Sequence, residues 1–331
     1  MRQEHPSKVM SAAEAVAEFV HDGDILYYGH GNCYIPHALV YEAIRQRKSR
    51  LDIVGGTPGT QLQQLLFHAG CADRTRTGSL SGLRGSGGQS RVWELVEQGK
   101  LRFDDYSNQT LALMFMAAAL GIPFIPTRAF LGTDFLKDEY INHPRGFLGQ
   151  DKLRLIADPF TGQPVVALPA LRPNVALWHA QRADEEGNIQ AWGAYADGRW
   201  GIWAAERVVI SVEEIVPTEV VRSDPNRTIL PAYKVSAVVH EPFGSFPGEL
   251  PGYYNQDPAL VRLGAGRLDD YLAEWVYGRS DHQDFMEHYV ERFGYHRLRG
   301  LLPRRRVQPT GSVDYGVRAI AAHEAQEEGK E

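Results

Sequence analysis

ILYYGHGNCYIPHALVYEAIRQRKSRLDIV, residues 25–54, contains one complete strand–turn–helix–strand unit. Ile25 to Tyr28 is a short apolar run with aromatic character, the pattern of a buried strand. It runs into Gly29-His30-Gly31-Asn32. Pro36 then opens a helix, because its missing N–H and fixed φ suit the first turn. Leu39, Val40, Ala43 and Ile44 fall on one face of that helix. Leu51-Asp52-Ile53-Val54 is a second strand, closed by Gly55-Gly56. A strand, helix, strand rhythm predicts a parallel sheet covered by helices on both faces. Ligands of such sheets gather at the carboxyl ends of the strands, where the glycine-bearing turns lie.

The same rhythm extends outward. Upstream, Ser11-Ala12-Ala13-Glu14 fits a capping box, and Ala15, Val16, Phe19 and Val20 give the apolar face of a helix ended by Asp22-Gly23-Asp24. Downstream, a helix is expected from about Gly59 to His68, another over Arg91–Gln98, and a strand at Leu101–Phe103. Leu111 to Leu120 reads as a very apolar helix and Pro123 to Pro126 as a buried strand. Arg74 to Leu80 makes a poor strand. Residues 128–160 are irregular and longer than a passive connection, so they read as a lid or a covering excursion. Strands are expected at Val165–Leu168, Val175–His179, Val208–Val212 and Val235–Val239, with a hairpin-like turn over Ala183–Asn188. Residues 257–295 are mostly helical in pattern. After Gly300 the chain turns basic at Arg304-Arg305-Arg306 and ends polar. The expected division is one domain over 1–299 and a peripheral or partner-contacting tail over 300–331.

The 331 residues are 43% hydrophobic and 23% charged, an ordinary globular balance. A formal net charge of -6 argues against nucleic acid as the main partner. Two cysteines, Cys33 and Cys71, form no disulfide framework and point to a reducing, cytoplasmic setting. No apolar run approaches the roughly 20 residues of a membrane helix, so no membrane association is expected.

Motifs of a self-contained active site are missing. H-E-x-x-H and C-x-x-C spacings do not occur, so no metal is expected, and no G-x-S-x-G elbow is present. SGLRGSGGQS, residues 81–90, is dense in glycine but lacks the lysine of a P-loop and the preceding strand of a dinucleotide fingerprint. It reads instead as a substrate-side loop, with Ser81, Ser86 and the Gly87-Gly88 amides receiving a carboxylate and Arg84 assisting; the alternative is a mobile loop whose glycines only permit tight turns. Cys33 reads as a small buried apolar side chain rather than a nucleophile. His30 between glycines is a ligand contact or a turn residue. Ser107 or Asn108 caps the following helix while its neighbour meets substrate at the free N–H groups. Arg128 pairs either a substrate carboxylate or Asp134, with Thr133 beside it. Glu241 and Glu249 read as loop carboxylates.

Four stretches together resemble one family. VEQGKLRFDDYSNQTLALMFMAAALGIPFIPTRAFLGTD (96–134), DPFTGQPVVALPALRPNVALWHAQRADEEGNIQAWG (158–193), AAERVVISVEEIV (204–216) and VVHEPFGSFPGELPGYYNQD (238–257) are similar to the A subunit of glutaconate CoA-transferase and its relatives. The resemblance runs over roughly residues 8 to 295. It implies a class I CoA-transferase fold, an open and mostly parallel α/β sheet with flanking helices and a C-terminal helical segment. It also implies a B-type partner, in a heterodimer or heterotetramer, that carries the catalytic glutamate in a Ser-Glu-Asn-Gly type motif. No such motif occurs in this chain, so no catalytic residue is expected here. The implied substrate is a coenzyme A thioester, with no tightly bound cofactor. Gly29, His30, Gly31, Asn32, Ser81, Arg84, Ser86, Gly87, Gly88, Ser107, Asn108, Arg128 and Thr133 are the expected substrate-binding set.

The same fold serves other reactions. Related ring-opening hydrolases use a glutamate that aligns with the Asp105–Gln109 stretch, where this chain has Ser107-Asn108 and Asp105 as the nearest acid. Related decarboxylases use a cysteine carried by the partner chain. The remaining alternative is a non-enzymatic scaffold.

Overall fold

A computed structural model describes residues 7–29, 33–55, 60–78, 91–137 and 152–302. The opening unit folds as its pattern requires. β1 (Ile25–Tyr27) and β2 (Leu51–Gly55) are parallel neighbours, joined through α2 (His37–Arg45). α1 (Ala12–Phe19) precedes them and carries the capping box: the Ser11 side chain accepts from Glu14 N while the Glu14 side chain accepts from Ser11 N. α3 (Thr60–His68), β3 (Ala72–Thr77), α4 (Arg91–Glu97), β4 (Arg102–Asp105) and α5 (Asn108–Ala119) continue the alternation, and β2, β3 and β4 are parallel in that order.

β3 corrects the expectation that Arg74–Leu80 would not make a strand. Its charged residues are engaged in cross-strand pairs. Arg74 Nε donates to Asp104 Oδ2 at 3.0 Å, and Arg76 Nη2 to Asp52 Oδ2 at 2.6 Å. Neighbouring strands thus supply the partners that an isolated sequence window cannot show.

A separate antiparallel sheet interrupts the alternation. β5 (Phe124–Thr127), β6 (Arg154–Ala157) and β7 (Pro164–Pro169) lie in the order β5-β7-β6. This corrects two further expectations. The Pro123–Pro126 run is not buried, since Phe124 is 45% exposed, and the irregular stretch 128–160 contains β6. Among the described residues the small sheet leaves an apolar groove of about 270 Å³ over Phe124, Leu153, Ile156 and Pro169.

The chain then returns to the main sheet. β8 (Val175–Ala183) lies parallel to β1 on the side away from β2. β10 (Arg207–Ile215) pairs with β8, and β12 (Ala237–His240) with β10, again in parallel. The expected strand at Val235–Val239 is therefore shifted, because Ala232–Lys234 forms a 3-10 turn first. The turn over Ala183–Asn188 joins β8 to β9 (Ile189–Gln190), which is antiparallel to it, and β11 (Thr228–Leu230) pairs with β9. The result is a nine-stranded sheet.

Both faces of this sheet are covered. Leu26, Tyr27, Leu39, Ile44, Leu65 and Val209 are all fully buried. Helix 198–204 approaches β1 so closely that a Cβ on Gly201 would lie 2.3 Å from the Tyr27 ring, which requires glycine there. The C-terminal helices close the remaining flank around Tyr271, Trp275 and Phe285. Asp257 ties them together: it caps the Pro258–Gly266 helix and accepts from Arg297 Nη2 at 2.6 Å and Tyr289 Oη at 2.5 Å. The last described helix, Tyr295–Leu301, runs across position 300. No helix among the described residues is long and apolar enough to cross a membrane.

Candidate functional site

The strand order places one position apart from the rest. From β1 the chain builds outward through β2, β3 and β4 on one side, then through β8, β10 and β12 on the other. Between β1 and β8 the connections leave in opposite directions, which opens a crevice at the strands' carboxyl ends. β8 outruns β1 there: β1 pairs only with Val175 and Ala176. Beyond that point His179 N donates to Tyr34 O at 3.1 Å, and β9 takes over at Arg182 and Ala183. The chain after β1 therefore fills a gap in the sheet and brings its turn against the crevice.

Three residues with positive φ lie at this end. Gly29 has φ +101°, and a Cβ there would stand 3.2 Å from Ile35 Cδ1. Tyr34 and Phe243 adopt φ 60° and 62°, a region costly for aromatic residues unless their surroundings enforce it. The Tyr34 ring stacks on Trp178 at 4.6 Å, and its hydroxyl donates to Trp192 O at 2.7 Å. Phe243 is held by Glu213, whose two carboxylate oxygens accept its N–H at 3.0 and 3.1 Å. Glu213 Oε1 also accepts from Tyr254 Oη and from His179 Nε2, both at 2.8 Å. With Nε2 donating, His179 Nδ1 accepts from Ser211 Oγ at 2.8 Å. Four hydrogen bonds thus satisfy one buried carboxylate, and they lock the 241–254 loop over the end of β8 and β10.

That loop delivers Glu249 to the turn after β1. Cys33 Sγ donates to Glu249 Oε1 at 2.7 Å, and the two residues also form a backbone bridge. Burial, then the Glu249 hydrogen bond and its charge, push the Cys33 thiol up to about 12. Cys33 is therefore a proton donor in the crevice, not a nucleophile. Gln181 Nε2 fastens the loop from the other side, donating to Trp192 O at 2.9 Å and Pro251 O at 3.2 Å. Glu241 sits at the end of β12, and burial pushes its carboxyl up to about 7.

The ends of β3 and β4 lie further along the same sheet, beyond β2. Ser107 is the N-cap of α5, accepting from Thr110 N at 3.1 Å, and Asn108 is the first helical residue. A Cβ on Gly78 would lie 2.2 Å from Asn108 Oδ1, so the turns after β3 and β4 touch. Lys152 reaches the same corner. Its Nζ lies 3.7 Å from the Tyr106 ring centroid and donates to Asp105 O. Burial pulls its ammonium down to about 7.

Of the expected binding residues, Gly29 lies at the crevice between β1 and β8, and Ser107 and Asn108 at the end of β4. Arg128 and Thr133 follow β5 in the small sheet. Thr133 Oγ1 donates to Phe130 O at 2.7 Å, while Asp134 is paired by Lys137 at 2.8 Å. The positive charge of Arg128 acts on Asp158. His30, Gly31, Asn32, Ser81, Arg84, Ser86, Gly87 and Gly88 lie outside the described residues. Lys152 and the pairing of Cys33 with Glu249 were not singled out by sequence pattern. For Glu213 one signal existed: an acidic residue ending the apolar run Val208–Val212. Among the described residues no group of three or more His, Cys, Asp or Glu side chains is arranged to hold a metal ion.

A family model described as Coenzyme A transferase matches residues 9–241. The chain belongs to the Coenzyme A transferase family. This CoA-transferase family chain is 34% identical over 294 residues to the A subunit of 3-oxoadipate CoA-transferase from Pseudomonas knackmussii, covering 86% of this chain and 99% of that one. It is 31% identical over 294 residues to the A subunit of glutaconate CoA-transferase from Acidaminococcus fermentans, covering 85% and 91%. An uncharacterised protein of Archaeoglobus fulgidus is 36% identical over 296 residues, but the chain spans only 63% of its length. The crystal structure of the A. fermentans glutaconate enzyme superimposes with a TM-score of 0.78 at 29% identity, over 93% of this chain and 99% of that one. The class I CoA-transferase-like α/β fold expected from sequence is thereby established.

Proposed function

We propose that this chain is the A-type component of a heteromeric CoA-transferase, which moves coenzyme A between an acyl-CoA thioester and a carboxylic acid. The nucleophilic glutamate comes from a B-type partner. Its carboxylate attacks the thioester carbonyl and expels CoA as thiolate, forming a mixed anhydride. The thiolate then attacks the glutamyl carbonyl, the first acid leaves as carboxylate, and a glutamyl-CoA thioester remains. The acceptor carboxylate repeats the two steps in reverse. The A-type chain contributes the acyl-group side of the site, through backbone N–H groups and hydroxyls that stabilise the developing negative charge. Residues 1–299 act as this domain, residues 300–331 as a peripheral or partner-contacting tail, and the complex works in the cytoplasm.

The observation that carries the reading is the state of the carboxylates at the crevice between β1 and β8. Glu213 is saturated by four hydrogen bonds, and Glu249 is engaged by a protonated thiol. Similarity over 85–86% of the chain to proteins named as A subunits supports the same division of labour.

The test is to assay the chain alone, then co-expressed with an adjacent B-type chain, against a panel of acyl-CoA donors and carboxylates. Activity is expected only in the complex. Peptide mapping after incubation with acyl-CoA and borohydride is expected to place the reduced glutamyl adduct on the partner. Transfer by the chain alone, or an adduct on it, overturns the reading.

A further inference from the structure

β6 is an outer strand of the small sheet, since the order β5-β7-β6 puts no described strand on its far side. The direction of its amides follows from the ladder. Asp158 N donates to Gln163 O at 2.8 Å, in the same register as the β6–β7 pairs Ile156↔Val165 and Arg154↔Ala167. Bonded pairs of an antiparallel ladder recur at every second residue, so Ile156 and Arg154 turn their backbone groups to β7. Leu155 and Ala157 therefore turn theirs outward. No proline interrupts Arg154–Ala157, and Leu155 is 60% exposed. Arg154 is the one charge on the strand, and a charge on an edge usually deters pairing.

A second, identical strand laid antiparallel removes that obstacle. With Leu155 opposite Ala157 of the second copy, both outward positions in both strands exchange N–H···O bonds. Ile156 then meets Ile156 of the second copy on a two-fold axis, and Arg154 faces Asp158 of the second copy in both directions. Phe160 N and Thr161 Oγ1 donate to Asp158 at 3.0 and 2.6 Å, which holds its carboxylate at the strand end. The neighbouring registers are poorer. A shift one way sets Leu155 against Pro159, which has no N–H. A shift the other way calls on Leu153, which is packed into the core, and loses the match of Arg154 with Asp158. Ile156 also borders the apolar groove over Phe124, Ala167 and Pro169, so its counterpart extends an apolar surface that the single chain leaves open.

We propose that β6 pairs with β6 of a second copy of this chain, joining the two small sheets into one. The contact uses this chain alone and does not depend on the transferase reading. Combined with a B-type partner it makes the assembly a heterotetramer.

The test is native mass spectrometry and sedimentation velocity on the full chain, alone and co-expressed with a B-type chain; two copies of this chain per particle are expected in each. Ala157→Pro removes an outward N–H that β7 does not use, so melting should be unchanged while the dimer dissociation constant rises at least about tenfold. Ile156→Cys should give a covalent dimer on mild oxidation, because residues paired across the axis have Cα atoms about 4.5 Å apart, and Leu155→Cys should not. The wild type, with Cys33 and Cys71, is the control. Arg154→Asp and Asp158→Lys should each be monomeric and should dimerise when mixed, since mixing restores opposite charges at both ends. A monomeric wild type, a complex holding one copy of each chain, a dimer indifferent to Ala157→Pro, or Ile156→Cys linked no faster than Leu155→Cys overturns the inference. If a variant fails to fold, the wild-type particle and the Ile156→Cys linkage decide.

Discussion

Cys33 follows the turn after β1, a position suited to a nucleophile, yet its hydrogen bond to Glu249 and its burial make it a poor one. At pH 8 a thiol with a pKa of about 12 has roughly a thousandth of the thiolate of an ordinary cysteine. Peptide mapping after iodoacetamide treatment should therefore show Cys33 alkylated at least about 100-fold more slowly than a free thiol. Rapid alkylation at neutral pH would remove the thiol-donor role. Lys152 shows the opposite displacement, an ammonium pulled down by burial. It stacks on Tyr106 beside the β4 turn, so that turn too carries a group whose protonation is set by burial.

At the scale of elements, two histidines begin helices in the interior. His37 is the first residue of α2, and His282 the first of the His282–Phe293 helix. Burial pulls them down to about 3 and about 4, and a positive charge at a helix N-terminus is unfavourable as well. The unfolded chain takes up these protons near pH 6.5, whereas the native chain refuses them until pH 4 or below. Their contribution is complete above about pH 6.5 and is lost as pH falls, at about 1.4 kcal/mol per pH unit for each group. Melting scans should show a midpoint falling from pH 6.5 toward pH 4. His37→Gln should flatten that slope, and an unchanged slope would assign acid sensitivity elsewhere.

The elements also show what the sequence could and could not convey. β1, α2 and β2 were legible because burial on both faces writes continuous apolar runs and Pro36 marks the helix start. β3 was not, because its arginines are paired by acids on β2 and β4 that a local window does not contain. β5 looked buried because isoleucine and proline surround it, but it lies at an edge of a small sheet formed with strands that follow much later in the chain. At the crevice, Gly29 was legible through the turn it permits. The Cys33–Glu249 contact joins positions 216 residues apart, and nothing in either neighbourhood announces it.

For the whole molecule, the decisive arrangement is the return of the chain beside β1 after the excursion through the small sheet. It sets the order β12-β10-β8-β1-β2-β3-β4 and creates the crevice in the middle of the sheet. One bond in that arrangement has a further use. The His179 amide belongs to a central strand, yet its acceptor is Tyr34 O in the turn after β1. Amides of β8 bonded to β10 exchange with solvent only when the sheet opens, whereas His179 is released whenever that turn lifts. Deuterium uptake at His179 should therefore be faster than at its β10-bonded neighbours and should slow when acyl-CoA occupies the assembled enzyme. One backbone hydrogen would thus time the movement of the turn after β1.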